Sequence, residues 1–418
     1  MRIARPTTLL VLLVLAVGIN YVDRGSLSVV KTDISAEFGL DDLQMGWLFS
    51  AFFWSYALCQ IAAGWFVDRF DVKWVYAAGF LIWSLATLSM GLMGGFALFF
   101  AMRLLLGIGE SVAYPATSRI IVENFAEHRR GLANSLVDAA SKIGPALSVL
   151  LGGLIVAEWG WRSLFLLAGG ASLLWLVPWL ALVPSQPAPS SENAFDATDN
   201  PPRVGYGQLL RRRDVWGTSL GFFCLGYSWY FLISWLPAYL EEERGFSKEA
   251  MALFGSLPFW AMAATSVAGG WLSDRLISRG GTPTMVRKSF LVAGFLLCAI
   301  FMHAAVTASS DSGCIVMLIA ACASLGLYTS NAWAVTQTLA GPLAAGQWSG
   351  LKNAIGNMGG VASPVLTGWI VERTGSFTLA FEAASAMLVL GVFAYLLLVG
   401  RVAPLEWDTR ETSWSENV

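Results

Sequence analysis

The chain has 418 residues, 56% of them hydrophobic and only 13% charged, with a mean hydropathy of +0.62. A soluble globule needs about 25% charged residues to clothe its surface, so a soluble domain is excluded and a polytopic membrane protein is indicated. A net charge of −2 excludes the basic surface that a nucleic-acid partner requires.

Twelve runs approach the ~20 residues that a tilted helix needs to cross a bilayer. They lie at approximately 7–30, 43–66, 74–93, 96–122, 132–157, 163–183, 214–240, 250–272, 289–308, 312–339, 347–371 and 376–400. The first follows Arg2 and Arg5 and lacks a small-residue cleavage site before Asp23, which fits a retained span better than a signal peptide. Cys59, Cys224, Cys298, Cys314 and Cys322 fall mostly inside the runs without paired spacing and read as small buried hydrophobes. Nineteen tryptophans, many at run ends, suit the headgroup region.

The stretch from Pro184 to Arg213, rich in Pro, Ser, Asn and Asp, is the one long connection. It sets a six-span N-terminal half (1–183) apart from a six-span C-terminal half (214–400), with 184–213 as a cytoplasmic linker and 401–418 as a cytoplasmic tail. With the N-terminus inside, sixteen Lys and Arg residues fall in inner segments. Only Lys31, Arg162, Arg244, Lys248 and Arg373 fall in outer ones. That asymmetry places both termini in the cytoplasm.

The halves echo each other. Ala63-Gly64-Trp65-Phe66-Val67-Asp68-Arg69 recurs as Gly269-Gly270-Trp271-Leu272-Ser273-Asp274-Arg275, and Gly131–Gly160 overlays Gly346–Gly375 at a constant offset of 215. Parallel six-span repeats are the plan of the major facilitator superfamily, whose substrate site lies at the bilayer midplane. Gly64, Asp68, Arg69 and Lys73 resemble that superfamily's signature between spans two and three, with Asp274 and Arg275 as the second copy. Such a motif can latch neighbouring helix ends in one state. The usual pattern has glycine where this chain has Asp71.

Ionisable groups inside a membrane are costly, at ~2.5–3.5 kcal/mol on insertion scales, and are functional candidates for that reason. The first half holds Asp23, Arg24, Arg103, Glu110, Arg119, Asp138 and Lys142; the second holds Lys352 and little else. Arg103 and Glu110, two turns apart, share a face of span four. Glu110 in apolar surroundings suits a group that takes up and releases a proton; the plainer alternative is a permanent ion pair that fixes helix packing. Arg119 reads as snorkelling, and Lys352 as facing a neighbouring helix or snorkelling. Lys142 either contacts cargo or pairs with Asp138, because an acid four residues before a base is a favourable helical arrangement. Adjacent Asp23 and Arg24 diverge by about 100° on a helix, so each needs a different partner: Asp23 toward the span-four charges, Arg24 toward the cavity. His128 and His303 are isolated, and neither a nucleotide-binding loop nor a metal-ligand cluster is legible. The sequence therefore implies no enzyme, cofactor or metal.

Asn20-Tyr21-Val22-Asp23-Arg24-Gly25-Ser26-Leu27-Ser28-Val29, the stretch from Phe49 to Gln60, and Arg103-Leu104-Leu105-Leu106-Gly107-Ile108-Gly109-Glu110 closely resemble the anion:cation symporter branch of that superfamily. The branch includes bacterial D-galactonate, glucarate and hexuronate permeases and animal sialin-type transporters. The resemblance covers nearly the whole chain. It implies an all-α integral membrane protein of twelve transmembrane helices in two pseudo-symmetric halves, placed in the bacterial inner membrane as a monomer. It also implies import of a small organic anion, most simply a sugar acid, together with H+. By the same resemblance Asp23 and Glu110 carry protons, Arg24 takes the substrate carboxylate, Tyr56 lines the pocket, Ser330 and Trp333 lie beside the sugar acid, and Asn353 bonds its hydroxyls. Where galactonate-type members have glutamine in span five, this chain has Ser141 followed by Lys142. The 215 offset sets Asp138 opposite Asn353 and Lys142 opposite Asn357, which brings Ser141, Lys142 and Asn357 into the candidate set; Asn331 adjoins Ser330. Rival readings are sodium- or chloride-coupled carboxylate transport on the same fold, or a drug/proton antiporter, which the first-half arginines disfavour.

Overall fold

Apolar runs of this length satisfy their backbone within a bilayer by forming helices, and the described residues contain helices and no strands. The structure, a computed structural model, describes residues 6–125, 127–185 and 204–407. The side chains of Asp68, a latch residue, and of His128 lie outside the described residues.

The elements in chain order are α1 (Pro6–Val29), α2 (Lys31–Phe38), α3 (Asp42–Arg69), α4 (Val72–Met90), α5 (Phe96–Glu110), α6 (Ala113–Asn124), α7 (Glu127–Trp159), α8 (Trp161–Leu182), α9 (Tyr206–Leu210) and α10 (Arg213–Ala238). They continue through a π-helical turn (Tyr239–Glu243) into α11 (Lys248–Ser278), α12 (Pro283–Thr307), α13 (Asp311–Gly341), α14 (Leu343–Thr374) and α15 (Thr378–Phe393). Helices α5 and α6 together make one span, as do α10 with its π turn and α15 with its own π-helical end. Among the described residues eleven helical stretches are long and apolar enough to cross a membrane. The 28-residue α3 has the length as well, and with it the number reaches the expected twelve.

Local chemistry sets the helix ends. At the start of α3 a capping box forms: Asp41 Oδ1 accepts from the Gln44 amide at 2.6 Å and Gln44 Oε1 from the Asp41 amide at 3.0 Å. Asp71, the departure from the signature, is the N-cap of α4 and accepts from the Lys73 amide at 3.0 Å. It does by side-chain capping what a glycine does by backbone freedom. Between α13 and α14 the chain reverses at Gly341, whose φ of +60° favours glycine. The linker stretch contains the short helix α9, which no apolar periodicity announced.

Contacts divide the chain into two units. The first comprises Met1–Pro189, Tyr230–Trp260 and Gly360–Ala380; the second comprises Ser190–Trp229, Ala261–Gly359 and Phe381–Val418. In the first unit α1 packs on α7, α3 on α5, and α4 on α5 and α8. Tyr76, Phe80, Trp83, Trp175 and Trp179 form an aromatic seam between α4 and α8. Two of its three indoles are satisfied internally, Trp175 by the Leu12 carbonyl and Trp179 by the Lys73 carbonyl, both at 3.0 Å, whereas Trp83 Nε1 is buried without a partner. The assignment of tryptophan to the headgroup region therefore needs correction: Trp83, Trp179, Trp235 and Trp348 are fully buried, whereas Trp47, Trp65, Trp159 and Trp369 are exposed. The cysteines are free thiols, four of them buried and Cys59 half-buried.

At one end of the first unit the π turn after Pro237 fans three consecutive acids toward different partners. Glu241 meets Lys248 at 3.0 Å and Glu242 meets Lys31 at 2.7 Å, while Glu243 accepts from the Phe377 amide at 2.5 Å. Lys31 also meets Asp42 at 2.5 Å and Lys248 meets Asp33 at 2.6 Å.

Candidate functional site

The central pairing of the first half joins charges far apart in the chain, which sequence spacing could not supply. Arg24 Nε donates to Glu110 Oε2 at 2.6 Å, with side chains 4% and 0% exposed. The Arg24 guanidinium lies among the rings of Tyr21, Phe52 and Tyr56, each within 4.7 Å, an arrangement that planar, weakly hydrated guanidinium tolerates. Arg24 Nη2 and Glu110 Oε1 have no hydrogen-bond partner. One atom of each charged group is thus committed to the pair while a second is buried without a partner.

Arg103, two turns before Glu110 on α5, makes its hydrogen bonds elsewhere, donating from Nε to the Leu48 carbonyl at 3.1 Å and from Nη2 to the Phe49 carbonyl at 3.4 Å. It ties α5 to α3. The two helices can meet there because Gly107 is bare: a Cβ would come within 3.0 Å of the Tyr56 amide nitrogen. Asp23 does not take the span-four charge; Arg24 does. Both Asp23 oxygens are buried without a hydrogen-bond partner, as are both polar atoms of Asn20, one turn before Arg24. Asn20 was missed, although its i−4 spacing to Arg24 puts it on the same helix face. Tyr21 and Phe52 were also missed, since an aromatic in an apolar run carries no signal of the cation it will face.

Tyr56 is buried, stacks on Phe52 and accepts from Gln60 Nε2 at 3.3 Å. Lys142 and Asp138 form a hydrogen-bonded ion pair, and Ser141 Oγ donates to the Asp138 carbonyl at 2.6 Å. Lys142 is therefore compensated, and the pairing alternative holds. Arg119 does not snorkel alone: it meets Glu123 at 2.6 Å and the Val67 carbonyl.

Among the latch residues, Lys73 is buried and Nζ donates to the Leu180 carbonyl at 2.9 Å, closing the last turn of α8. Arg69 lies over Trp65 and Arg275 over Trp271. Asp274 meets Arg287 of α12 at 2.6 Å, so in the second copy the acid's partner is on the next helix. Gly64 has open space around it rather than a helix pressed against it.

In the second unit, Asn331 has both polar ends occupied: Oδ1 accepts from Arg287 at 3.0 Å and Nδ2 donates to the Leu327 carbonyl at 2.9 Å. Those bonds give it a helix-joining part instead of a free amide for cargo. Ser330 Oγ is buried without a partner, Trp333 and Asn353 are half-buried and Asn357 is buried. Lys352 does not snorkel; it is fully buried. His303 is not isolated either, since Nδ1 lies 2.5 Å from Glu382 Oε1.

A groove of about 330 Å³ in the first unit, lined by Leu43, Trp47, Trp54, Val361, Leu366 and Trp369 among others, contains none of these charged groups. Its apolar walls suit hydrocarbon rather than an anion. Among the described residues no group of three or more His, Cys, Asp or Glu could hold a metal.

Comparison with known proteins places these features in a family. The family model described as Major Facilitator Superfamily matches residues 13–351. A probable galactarate/D-glucarate transporter of Bacillus subtilis is 31% identical over 94% of this chain and 91% of its own length. A probable sulfoacetate transporter of Cupriavidus necator is 32% identical over 91% and 90%. A D-galactonate transporter of Escherichia coli is 30% identical over 94% and 95%. Among solved structures, a bacterial homologue of the human lysosomal transporter Spinster, inward-facing and occupied, superposes with a TM-score of 0.77 at 20% identity, covering 93% of this chain and 96% of its own. That likeness shows the fold.

Proposed function

We propose, given that this chain belongs to the Major Facilitator Superfamily, that it is a proton-coupled symporter importing a sugar acid (hexonate, hexuronate or aldarate) by alternating access. The chain is a multi-pass membrane transporter, and its relatives are named for small organic anions. In this reading it sits in the bacterial inner membrane as a monomer with both termini cytoplasmic. Residues 1–183 and 214–400 act as its two six-helix halves.

One observation carries the reading: Arg24, the cation suited to a carboxylate, is held by Glu110, a buried acid with one oxygen unpartnered. While Glu110 is ionised it competes with the cargo for the guanidinium. A proton on Glu110 cancels that competition and frees the planar fork for bidentate contact with the cargo carboxylate. Proton and anion therefore bind together, because each removes the other's obstacle. Asp23, buried beside the pair in sequence and free of hydrogen bonds, is the second proton carrier. Tyr56 orients the carboxylate end.

Reconstituted Glu110→Gln protein is the test. It keeps exchange of internal for external sugar acid but loses accumulation driven by a pH gradient. Normal proton-driven accumulation in that variant would overturn the role of Glu110, and accumulation driven by sodium alone in the wild type would replace the coupling ion.

A further inference from the structure

The apolar groove between α3 and α14, within the first unit, takes no part in the coupling described so far. Beside it the two helices touch. A Cβ at Gly46 would come 2.6 Å from the Pro364 carbonyl oxygen and one at Gly368 2.2 Å from that of Asp42, while Ser50 Oγ donates to the Val361 carbonyl at 2.9 Å. That bond uses the hydroxyl of Ser50, a lining residue, and leaves the groove apolar. Trp47 and Trp54, two turns apart on one face of α3, and Trp369 of α14 stand exposed along it. From Val361 to Trp369 the groove follows α14 for roughly 12 Å. That is under half of the ~30 Å hydrocarbon core, so chains of a single leaflet reach it.

The end of the groove near the close of α14 carries a charge. Arg373, one turn beyond Trp369, is exposed, with its guanidinium 5.7 Å from the centre of the Trp369 ring. Among the described residues it makes no ion pair or hydrogen bond, whereas its neighbour Glu372 is occupied by the Asp42 amide at 3.1 Å. Similar stacks join Arg69 to Trp65 and Arg275 to Trp271, but neither of those tryptophans lines the groove. Trp369 alone of the three is both a wall of the groove and the platform of a free cation. The indole N–H groups of Trp47 and Trp369 also make no hydrogen bond, unlike those of Trp161, Trp175, Trp179 and Trp348.

We propose that this groove is a phospholipid site, in which one acyl chain lies along the indoles and the phosphate is held by Arg373. Indole suits the boundary between hydrocarbon and headgroup, where its N–H can donate to an ester carbonyl, and the planar guanidinium fork matches phosphate oxygens. A second copy of the chain would cover the apolar walls but leave the guanidinium unanswered. The site does not depend on the identity of the cargo.

Phosphatidylglycerol with a diazirine in one acyl chain, irradiated with the full-length protein in detergent, is the probe, and peptide mass spectrometry maps its adducts. In the wild type they concentrate on residues 43–54 and 361–369. Dioleoylphosphatidylglycerol displaces the probe at a concentration about tenfold or more below that needed of dioleoylglycerol, which has the chains without the phosphate. Arg373→Gln removes that difference with an unchanged Tm, since the side chain is exposed. Ala362→Phe, which fills the groove and leaves Arg373 in place, lowers the adducts here several-fold and leaves those elsewhere in the chain unchanged. Adducts spread evenly over the spans, equal displacement by the two lipids, or an Arg373→Gln protein that still discriminates between them overturns the assignment. So does a stable dimer whose α3–α14 face takes up no probe.

Discussion

Arg24 is held by three aromatic faces and one carboxylate oxygen, and a lysine at this position keeps the charge but loses the planar fork and the stacking. Arg24→Lys is expected to weaken binding of a sugar acid about tenfold or more, ~1.4 kcal/mol per factor of ten. Titration calorimetry would show it, and affinity equal to the wild type would mean that charge alone suffices. Sequence spacing could list these ionisable residues, because a charge in an apolar run is conspicuous. It could not say which acid would answer which base. Glu110 is 86 positions from Arg24, and only packing of α1 against its neighbours chooses between Asp23, Arg24 and Arg103. The pair that spacing did offer, Asp138 with Lys142, is local, one helical turn apart, and formed as a helix dictates.

Helices were legible from the apolar runs, yet their junctions were not, since a π turn or a kink depends on a few backbone groups and not on a stretch of composition. The α5–α3 contact depends on Gly107. Gly107→Val would drive methyl groups toward the Phe52 carbonyl and the Tyr56 amide, an overpacking worth ~1–3 kcal/mol; a lowered Tm in detergent is the expected reading. At the start of α8, Glu37 of α2 accepts from both terminal nitrogens of Arg162, at 2.8 and 2.6 Å, and from Trp161 Nε1 at 2.7 Å. These bonds, Arg162's first and Trp161's second, hold the Glu37 carboxyl below its ordinary value. A lowered pKa contributes stability above the ordinary carboxylate range and loses it as pH falls through the lowered value. Glu37→Gln should therefore lower Tm at neutral pH and match the wild type in acid; a pH-independent difference would assign the effect to packing.

At the scale of the molecule, the internal repeat and the charge asymmetry carried the fold class. The composition of the two units could not be read from them, because Tyr230–Trp260 joins the first unit in part through ion pairs of charges that looked like ordinary loop residues, and Gly360–Ala380 joins it through hydrogen bonds and close backbone packing on α3. Lys31 and Lys248 anchor that end of the unit to Glu242, Asp42, Asp33 and Glu241. In a Lys31→Gln, Lys248→Gln double variant, a cysteine placed at Phe53, which is buried against Tyr230, should react several-fold faster with a membrane-impermeant maleimide. An unchanged rate would show that the pairs do not hold this end closed. The same pairs also set an order in time. Asp33 and Lys248 are 215 positions apart, so at about 5–20 residues per second of synthesis the aspartate waits roughly 10–40 s for its base to leave the ribosome. During that interval the nascent chain must tolerate an unmatched surface that the finished protein never shows, and any chaperone or insertion factor that attends this protein meets it then.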